Sequence, residues 1–468
     1  IKQEVIKIDK EKKKLQIKNK ATGEIYIENY DKLVLSPGAE PINPFKGVKS
    51  DRIFTIRNVK DAEKVKTFIE NNNPKSAVIV GGGYIGVEMA ENLSEYTMEV
   101  SIVEKAPHLI SIIDNDMAHF IHKEIKKHGV KVYVNEGVNK IEEHEKLLLT
   151  LDNGKIETDL VILCIGVRPE TNLAEESGIN TNEKGAIIVN NKMQTSNKDI
   201  YALGDAVEVK NTITGERNGI ALAGPANRQA RIVANNINGI ESSYEGFIGS
   251  SILKIFNYSL GIVGLSERAC KNLDIPYKIM IISPYSHATY YPGAKMLTIK
   301  AIYNSKTSQI LGAYVWGKSS VDKITDILSV AIQNKMGAAD ISALELCYAP
   351  PYSSAKSPVN ILGNAIENEM NELVDTIAVE ELKNKENLYI LDVRTIEEYN
   401  ISHIEGAINI PLDELRENIE KLDKSKEIIV HCHSGLRSYL ACRILKQKGY
   451  NVKNLIGGYI MYDIMKNK

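Results

Sequence analysis

At 468 residues the chain is long enough for about three domains. Hydrophobic residues at 43% and charged residues at 25% match ordinary globular protein, a net charge of −2 gives no general attraction to nucleic acid or an anionic membrane, and no apolar run approaches the ~20 residues that span a bilayer. Five cysteines (Cys164, Cys270, Cys347, Cys432, Cys442), odd in number and widely spaced, fit neither a disulfide framework nor a zinc-binding pattern; they point to a reducing, cytoplasmic setting and to no metal centre.

The chain opens at Ile1 with no signal-peptide pattern. Ile1–Leu35 alternates apolar and polar residues, with turn signals at Asp9–Lys14 and Thr22–Gly23, and predicts a β-meander leading into Tyr30–Gly38. Ile53–Glu70 reads as a connecting helix and Asn71–Pro74 as a linker. Next comes the stretch around which the chain is organised. Ser76–Val80 is a short β-branched run, read as a buried strand. Gly81, Gly83 and Gly86 follow at G-x-G-x-x-G spacing, Tyr84–Glu95 has helical composition, and a second strand, Val100–Val103, ends in Glu104. A pyrophosphate needs these parts in this order. One glycine permits the tight turn, the next lets the backbone approach the phosphates, and the third lets the helix pack on the strand with its N–H groups aimed at the anion. Glu104 lies 23 residues after Gly81, near the spacing of a carboxylate that bonds a ribose 2′-OH. It would repel a 2′-phosphate, so NADH is favoured, with NADPH possible.

Beyond this stretch, Asp116–His128 is an amphipathic helix, Val130–Val134 a strand, and Lys146–Leu151 a further sheet segment before the apolar strand Asp159–Gly166, which carries Cys164. Thr195–Asp205 ends an apolar run in Gly204-Asp205, placing a carboxylate at the carboxyl end of a sheet, where α/β proteins bind ligands. Ala221–Arg231 opens a helix, with Pro225 tolerated in its first turn.

The order Leu35–Gly38, GGGYIGVE, CIGVRPET, T-x9-GD and GPANRQAR resembles the two-dinucleotide-fold flavoprotein disulfide reductases, in particular their coenzyme A-disulfide reductase and NADH oxidase/peroxidase branch. The resemblance implies FAD as a second cofactor. Asp205, after Gly204, would bond its ribityl chain; the Ala223–Asn227 segment, with Pro225 and Asn227, would approach the isoalloxazine; and Gly166 joins the cofactor-binding set. Tyr84 would sit near the nicotinamide pocket and shield the flavin face. Tyr244–Ala365 fits the family's interface domain, with strands at Ser251–Ile255 and Met296–Tyr303 and a helix at Val321–Asn334. In coenzyme A-disulfide reductases, tyrosines from two interface segments reach the partner subunit's redox cysteine. The matching segments here are His287–Ala294 and Cys347–Ser353, which assign Tyr290 (with Tyr291 the alternative) and Tyr348. A phenol can donate a proton to a leaving thiolate, in place of the histidine of other disulfide reductases; with 22 tyrosines in the chain, interface packing is the competing reading. The family also has an N-terminal βαβ unit with its own G-x-G-x-x-G, and a redox cysteine in a Ser-Phe-x-x-Cys-like segment. Neither occurs in these residues. The expectation is that these 468 residues alone bind FAD poorly and reduce no disulfide, which a stoichiometric flavin absorbance would refute.

After Asn368–Leu373 comes a unit of about 95 residues: Tyr389–Arg394, a strand ending in Asp-Val-Arg; Glu397-Glu-Tyr; His403–Pro411; the strand Glu427–Val430; the loop His431–Ser438; a helix to Lys448; and a closing Gly457-Gly458. It resembles a rhodanese sulfurtransferase domain over its whole length. Cys432 stands on a strand-to-helix loop, with successive N–H groups curling round it and Arg437 nearby. That setting predicts a depressed thiol pKa and stabilises a thiolate or the terminal sulfur of a persulfide. Cys442, in the helix, reads as packing. A Cys-dependent phosphatase is the rival, but only four residues separate Cys432 from Arg437, where a tyrosine-phosphatase loop has about five. The tighter loop suits one sulfur atom better than a tetrahedral oxyanion.

The whole is an α/β chain: a two-dinucleotide-domain flavoprotein with the first FAD half missing, an α+β dimerisation domain, and an α/β rhodanese domain. The expected boundaries are 1–57 with 167–243 for the partial FAD-binding domain, 58–166 for NAD(P)H, 244–368 for dimerisation and 369–468 for rhodanese. The expected activity is reduction of coenzyme A disulfide, coenzyme A persulfide or polysulfide in a homodimer, with no nucleic-acid or membrane partner. NADH oxidase/peroxidase chemistry through a cysteine sulfenate and a non-catalytic sulfur-carrier scaffold are the alternatives.

Overall fold

The computed structural model describes residues 2–382 and 388–466, so Ile1 of the expected meander and parts of the expected last domain (383–387, 467–468) lie outside the described residues. The chain forms two compact units, Ile1–Gly86 with Glu136–Gly249, and Val87–Asn135 with Ser250–Lys468.

In the first unit the alternating N-terminal pattern forms the meander Gln3–Asp9, Lys14–Asn19 and Ile25–Asn29, antiparallel throughout. Leu33–Leu35 pairs in parallel with Ile200–Ala202 over a core that includes Ile187, Tyr201, Val207 and Val233. A second parallel ladder carries the glycine motif. Leu160–Leu163 lies between Ile53–Thr55 and Ser76–Val80, and Ile79, Val161 and Ile162 are completely buried. Asp159 fixes where this ladder starts, because its Oδ2 accepts the Lys75 and Ser76 N–H groups at 2.8 and 3.0 Å.

The expected helix Ile53–Glu70 is two elements. Ile53-Phe54-Thr55 is β-branched and aromatic, and the parallel partner Val161–Leu163 makes it a strand. The helix starts only at Val59, where Asn58 and Asp61 form a reciprocal capping box, and runs to Asn72 before Asn73 turns left-handed at φ 46°. The expected linker Asn71–Pro74 therefore shrinks to its last two residues. Cys164 also differs from expectation, lying just past the end of the strand Leu160–Leu163 and not inside it.

In the second unit, Glu99–Glu104 pairs in parallel with Lys131–Val134, joined by the helix Asn115–Lys127. A five-stranded antiparallel sheet follows in the order Ser251–Ile255, Tyr258–Gly264, Ile310–Gly317, Leu297–Asn304, Tyr277–Ile282. Lys300 is fully buried in this sheet, with its Nζ 2.7 Å from Asp116, 3.2 Å from Asp114 and 2.5 Å from Glu267. Burial alone would lower the Lys300 pKa; the surrounding carboxylates hold it above its ordinary value, so the cation stays charged where only charge partners make that tolerable. The last sheet is parallel, in the order Asp375–Ile377, Asn451–Leu455, Glu427–His431, Tyr389–Asp392, Ile408–Asn409. The helix Leu436–Gln447 leaves its carboxyl edge directly after Cys432. No described helix is long and apolar enough to cross a membrane.

Candidate functional site

The glycine motif has the geometry its spacing predicts. Gly81 has φ +105°, and a Cβ there would stand 2.4 Å from the Cys164 carbonyl oxygen. A Cβ on Gly86 would stand 1.9 Å from the Gly81 oxygen, so the helix Tyr84–Ser94 approaches the strand as closely as it does only with glycine. A Cβ on Gly83 would meet nothing within 4 Å: the protein itself does not require glycine there, whereas a closely approaching phosphate does. No acidic residue stands in the first turn, which Tyr84 opens. These features fit a dinucleotide. Glu104 ends its strand in the second unit, and its Oε1 accepts the Ala106 N–H at 2.7 Å.

On the flavin side, Gly204 has φ +80° and donates its N–H to the buried Gln229 Oε1 at 2.8 Å, which ties the Gly-Asp turn to the helix Ala223–Ile237. Pro225 is buried in that helix's first turn, and Asn227 Nδ2 donates to the Ala223 carbonyl at 2.9 Å. Asp205 pairs with Arg57 at 2.5 Å. Arg57 escaped the sequence reading, which placed it inside a helix; its position just before the cap residue Asn58 is the signal that could have found it. Gly166, with φ +110°, is exposed beyond the strand Leu160–Leu163. A half-buried carboxylate at a strand end and a helix N-terminus free of acids fit FAD. Burial pushes the Cys164 thiol up to about 12, leaving it inert at neutral pH.

Tyr290 and Tyr348, from the two interface segments, meet hydroxyl to hydroxyl at 2.8 Å. The hydrogen bond to Tyr348 raises the Tyr290 pKa, so this phenol keeps its proton at neutral pH. Tyr291 does not join them: its ring stands edge-on to His287 at 5.9 Å.

Cys432 is buried, and its Sγ accepts the Gly435 N–H at 3.1 Å, with the Ser438 hydroxyl 3.5 Å away. The loop presents its N–H side to sulfur because its carbonyls are held elsewhere. Tyr459 N donates to Cys432 O at 2.8 Å and Ile460 N to His433 O at 3.1 Å. Arg437 forms a two-pronged pair with Glu398, a partner absent from the sequence reading. Cys442 packs in the domain core, where burial raises its pKa. The tyrosine pair and the loop residues Ser434, Gly435 and Leu436 line one cavity of about 680 Å³.

Three family models match the chain: pyridine nucleotide-disulphide oxidoreductase over residues 1–230, its dimerisation domain over 250–358, and a rhodanese-like domain over 376–462. Coenzyme A disulfide reductase of Staphylococcus aureus (strain NCTC 8325 / PS 47) is 35% identical over 362 residues, covering 77% of this chain and 81% of that protein. The structure of reduced Bacillus anthracis CoADR-RHD aligns with a TM-score of 0.93 at 43% identity, over 99% of this chain and 84% of that one. A NAD-dependent persulfide reductase from A. fulgidus aligns with a TM-score of 0.93 at 34% identity, over 98% and 85%. The chain belongs to the pyridine nucleotide-disulphide oxidoreductase family, FAD- and NAD(P)H-dependent, and carries a rhodanese-like domain at its C-terminal end.

Proposed function

We propose that the protein is a disulfide and persulfide reductase for coenzyme A-type thiols, in which the rhodanese-like domain carries sulfane sulfur to or from the reductase centre. The observation that carries this reading is the shared cavity: the tyrosine pair and the Cys432 loop open into the same space. The similarity to a coenzyme A disulfide reductase and to a persulfide reductase supports the same substrate class.

When bound, NADH would supply a hydride and FAD would pass its electron pair on to an S–S bond. The chain's own residues do the rest. Gly81, Gly83 and Gly86 would admit the NADH pyrophosphate, Glu104 would take its ribose, and Tyr84 would lie by the nicotinamide. Asp205, Gly204, Gly166 and the Ala223–Asn227 segment, with Pro225 and Asn227, would hold the flavin. Tyr290 donates its proton to the departing thiolate of the substrate, and Tyr348 replenishes it through their hydrogen bond. Cys432 attacks a sulfane sulfur, and the loop N–H groups and Arg437 stabilise the persulfide formed there. The tether raises the effective concentration of that persulfide at the reductase centre. The domains follow the limits 1–57 with 167–243, 58–166, 244–368 and 369–468, the protein works as a homodimer, and its five free cysteines favour a reducing cytoplasm.

Cys432→Ser should abolish thiosulfate:cyanide sulfur transfer while NADH binding persists. Retained transfer would remove Cys432 from its role.

A further inference from the structure

Within the loop Cys432–Ser438, Arg437 is the one residue with a fixed positive charge. Each terminal nitrogen of its guanidinium gives one hydrogen bond to Glu398, Nη1 to Oε2 at 2.6 Å and Nη2 to Oε1 at 2.7 Å, while the Cys432 thiol also acts on Arg437. Glu398 is held in turn. It is the third residue of the helix Ile396–Ile401, where its Oε2 accepts the Thr395 N–H at 3.1 Å and its own N–H donates to Thr395 Oγ1 at 3.3 Å. The fork is thus assembled before any substrate arrives. Lys356 also lines the cavity, and two further groups add no free charge at the loop. Arg394 is buried against Asp392 at 2.6 Å, and burial lowers the His433 pKa so that its ring is neutral at pH 7. The approach is apolar: Leu436 is 66% exposed at the loop, and Tyr439 joins it in the cavity wall.

We propose that Glu398 is a specificity-determining positioning residue: by pairing with both terminal nitrogens of Arg437 it offsets the charge that the Cys432 loop presents to an incoming anion, so that the loop takes its sulfur from an alkyl persulfide in preference to an inorganic dianion such as thiosulfate. This rests on the sulfurtransferase reading of Cys432. In the loading step the Cys432 thiolate attacks the outer sulfur of R–S–SH. The new S–S bond forms as the old one breaks, the electron pair leaves on RS⁻, and Cys432 becomes the persulfide with no external oxidant. With thiosulfate the same step releases sulfite.

The test measures single-turnover sulfur loading of Cys432 by mass in the full chain, with 2-hydroxyethyl persulfide and thiosulfate as donors. The wild type should load more efficiently from the persulfide. Glu398→Gln should lower the half-saturating thiosulfate concentration about tenfold, the size of one charge-assisted contact, while the maximal rate and the persulfide values stay within about twofold. Glu398→Asp should keep the wild-type ratio, and E398Q/R437A should lose the gain. A wild-type preference for thiosulfate overturns the proposal whether or not any variant folds. So does an unchanged half-saturation in an E398Q chain with a wild-type circular dichroism spectrum. Sulfur loading at that mass in Cys432→Ser would instead overturn the sulfurtransferase reading itself, and the proposal with it.

Discussion

Tyr290 and Tyr348 are 58 residues apart in the chain and 2.8 Å apart at their hydroxyls. If they act as one proton-donating unit, their losses should not add. In the full-length protein, either Phe substitution should lower kcat for coenzyme A disulfide by about 10- to 100-fold, and the double variant should be little worse than the poorer single. Losses that multiply would separate the two roles. The sequence left Tyr290 and Tyr291 open because neighbouring residues in a loop share a motif but not a direction; only the folded segment sends one to Tyr348 and the other to His287.

Two histidines make a second residue-level test. Burial lowers His122 and His431 from 6.5 to about 4. In that window the unfolded chain binds protons the folded chain refuses, so stability rises with pH from about 4 to 6.5 and is lost as pH falls through it, by on the order of 1–3 kcal/mol for each ring. His431→Leu should reduce the slope of unfolding free energy against pH by about one proton between those limits. An unaltered slope in urea melts would show that His431 titrates normally.

At the scale of elements, the Gly457-Gly458 turn holds the sulfur loop in shape. Gly458 has φ +59°, and a Cβ there would meet Cys432 O at 2.6 Å, His433 O at 2.8 Å and Gly435 N at 3.0 Å, all backbone atoms that cannot step aside. Gly458→Ala should therefore cost about 2 kcal/mol or more and depress sulfur loading at Cys432, without changing NADH binding. Full loading at wild-type stability would contradict this contact. The strand Ser76–Val80 was legible because β-branched residues before a glycine turn have few other solutions. The strand Ile53–Thr55 was not, because three residues carry no period of their own and become a strand only beside Leu160–Leu163. Arg57 and Glu398 were missed for the same reason: each is defined by a carboxylate or guanidinium far along the chain.

For the whole molecule, the ordered motifs made the family, its two cofactors and the fused sulfurtransferase domain readable from the chain, and the comparisons bear this out. The shared cavity was not readable, since it joins segments more than 80 residues apart, from Tyr348 to Ser434. On the function proposed above, this cavity is where the reductase and the sulfur-carrying domain meet. The most direct measurement is stopped-flow reoxidation of the reduced flavin in the full-length protein by coenzyme A persulfide, hydrogen peroxide and oxygen in parallel. Coenzyme A persulfide should be the fastest oxidant; a much faster reaction with peroxide would contradict the persulfide reductase and point to a peroxidase.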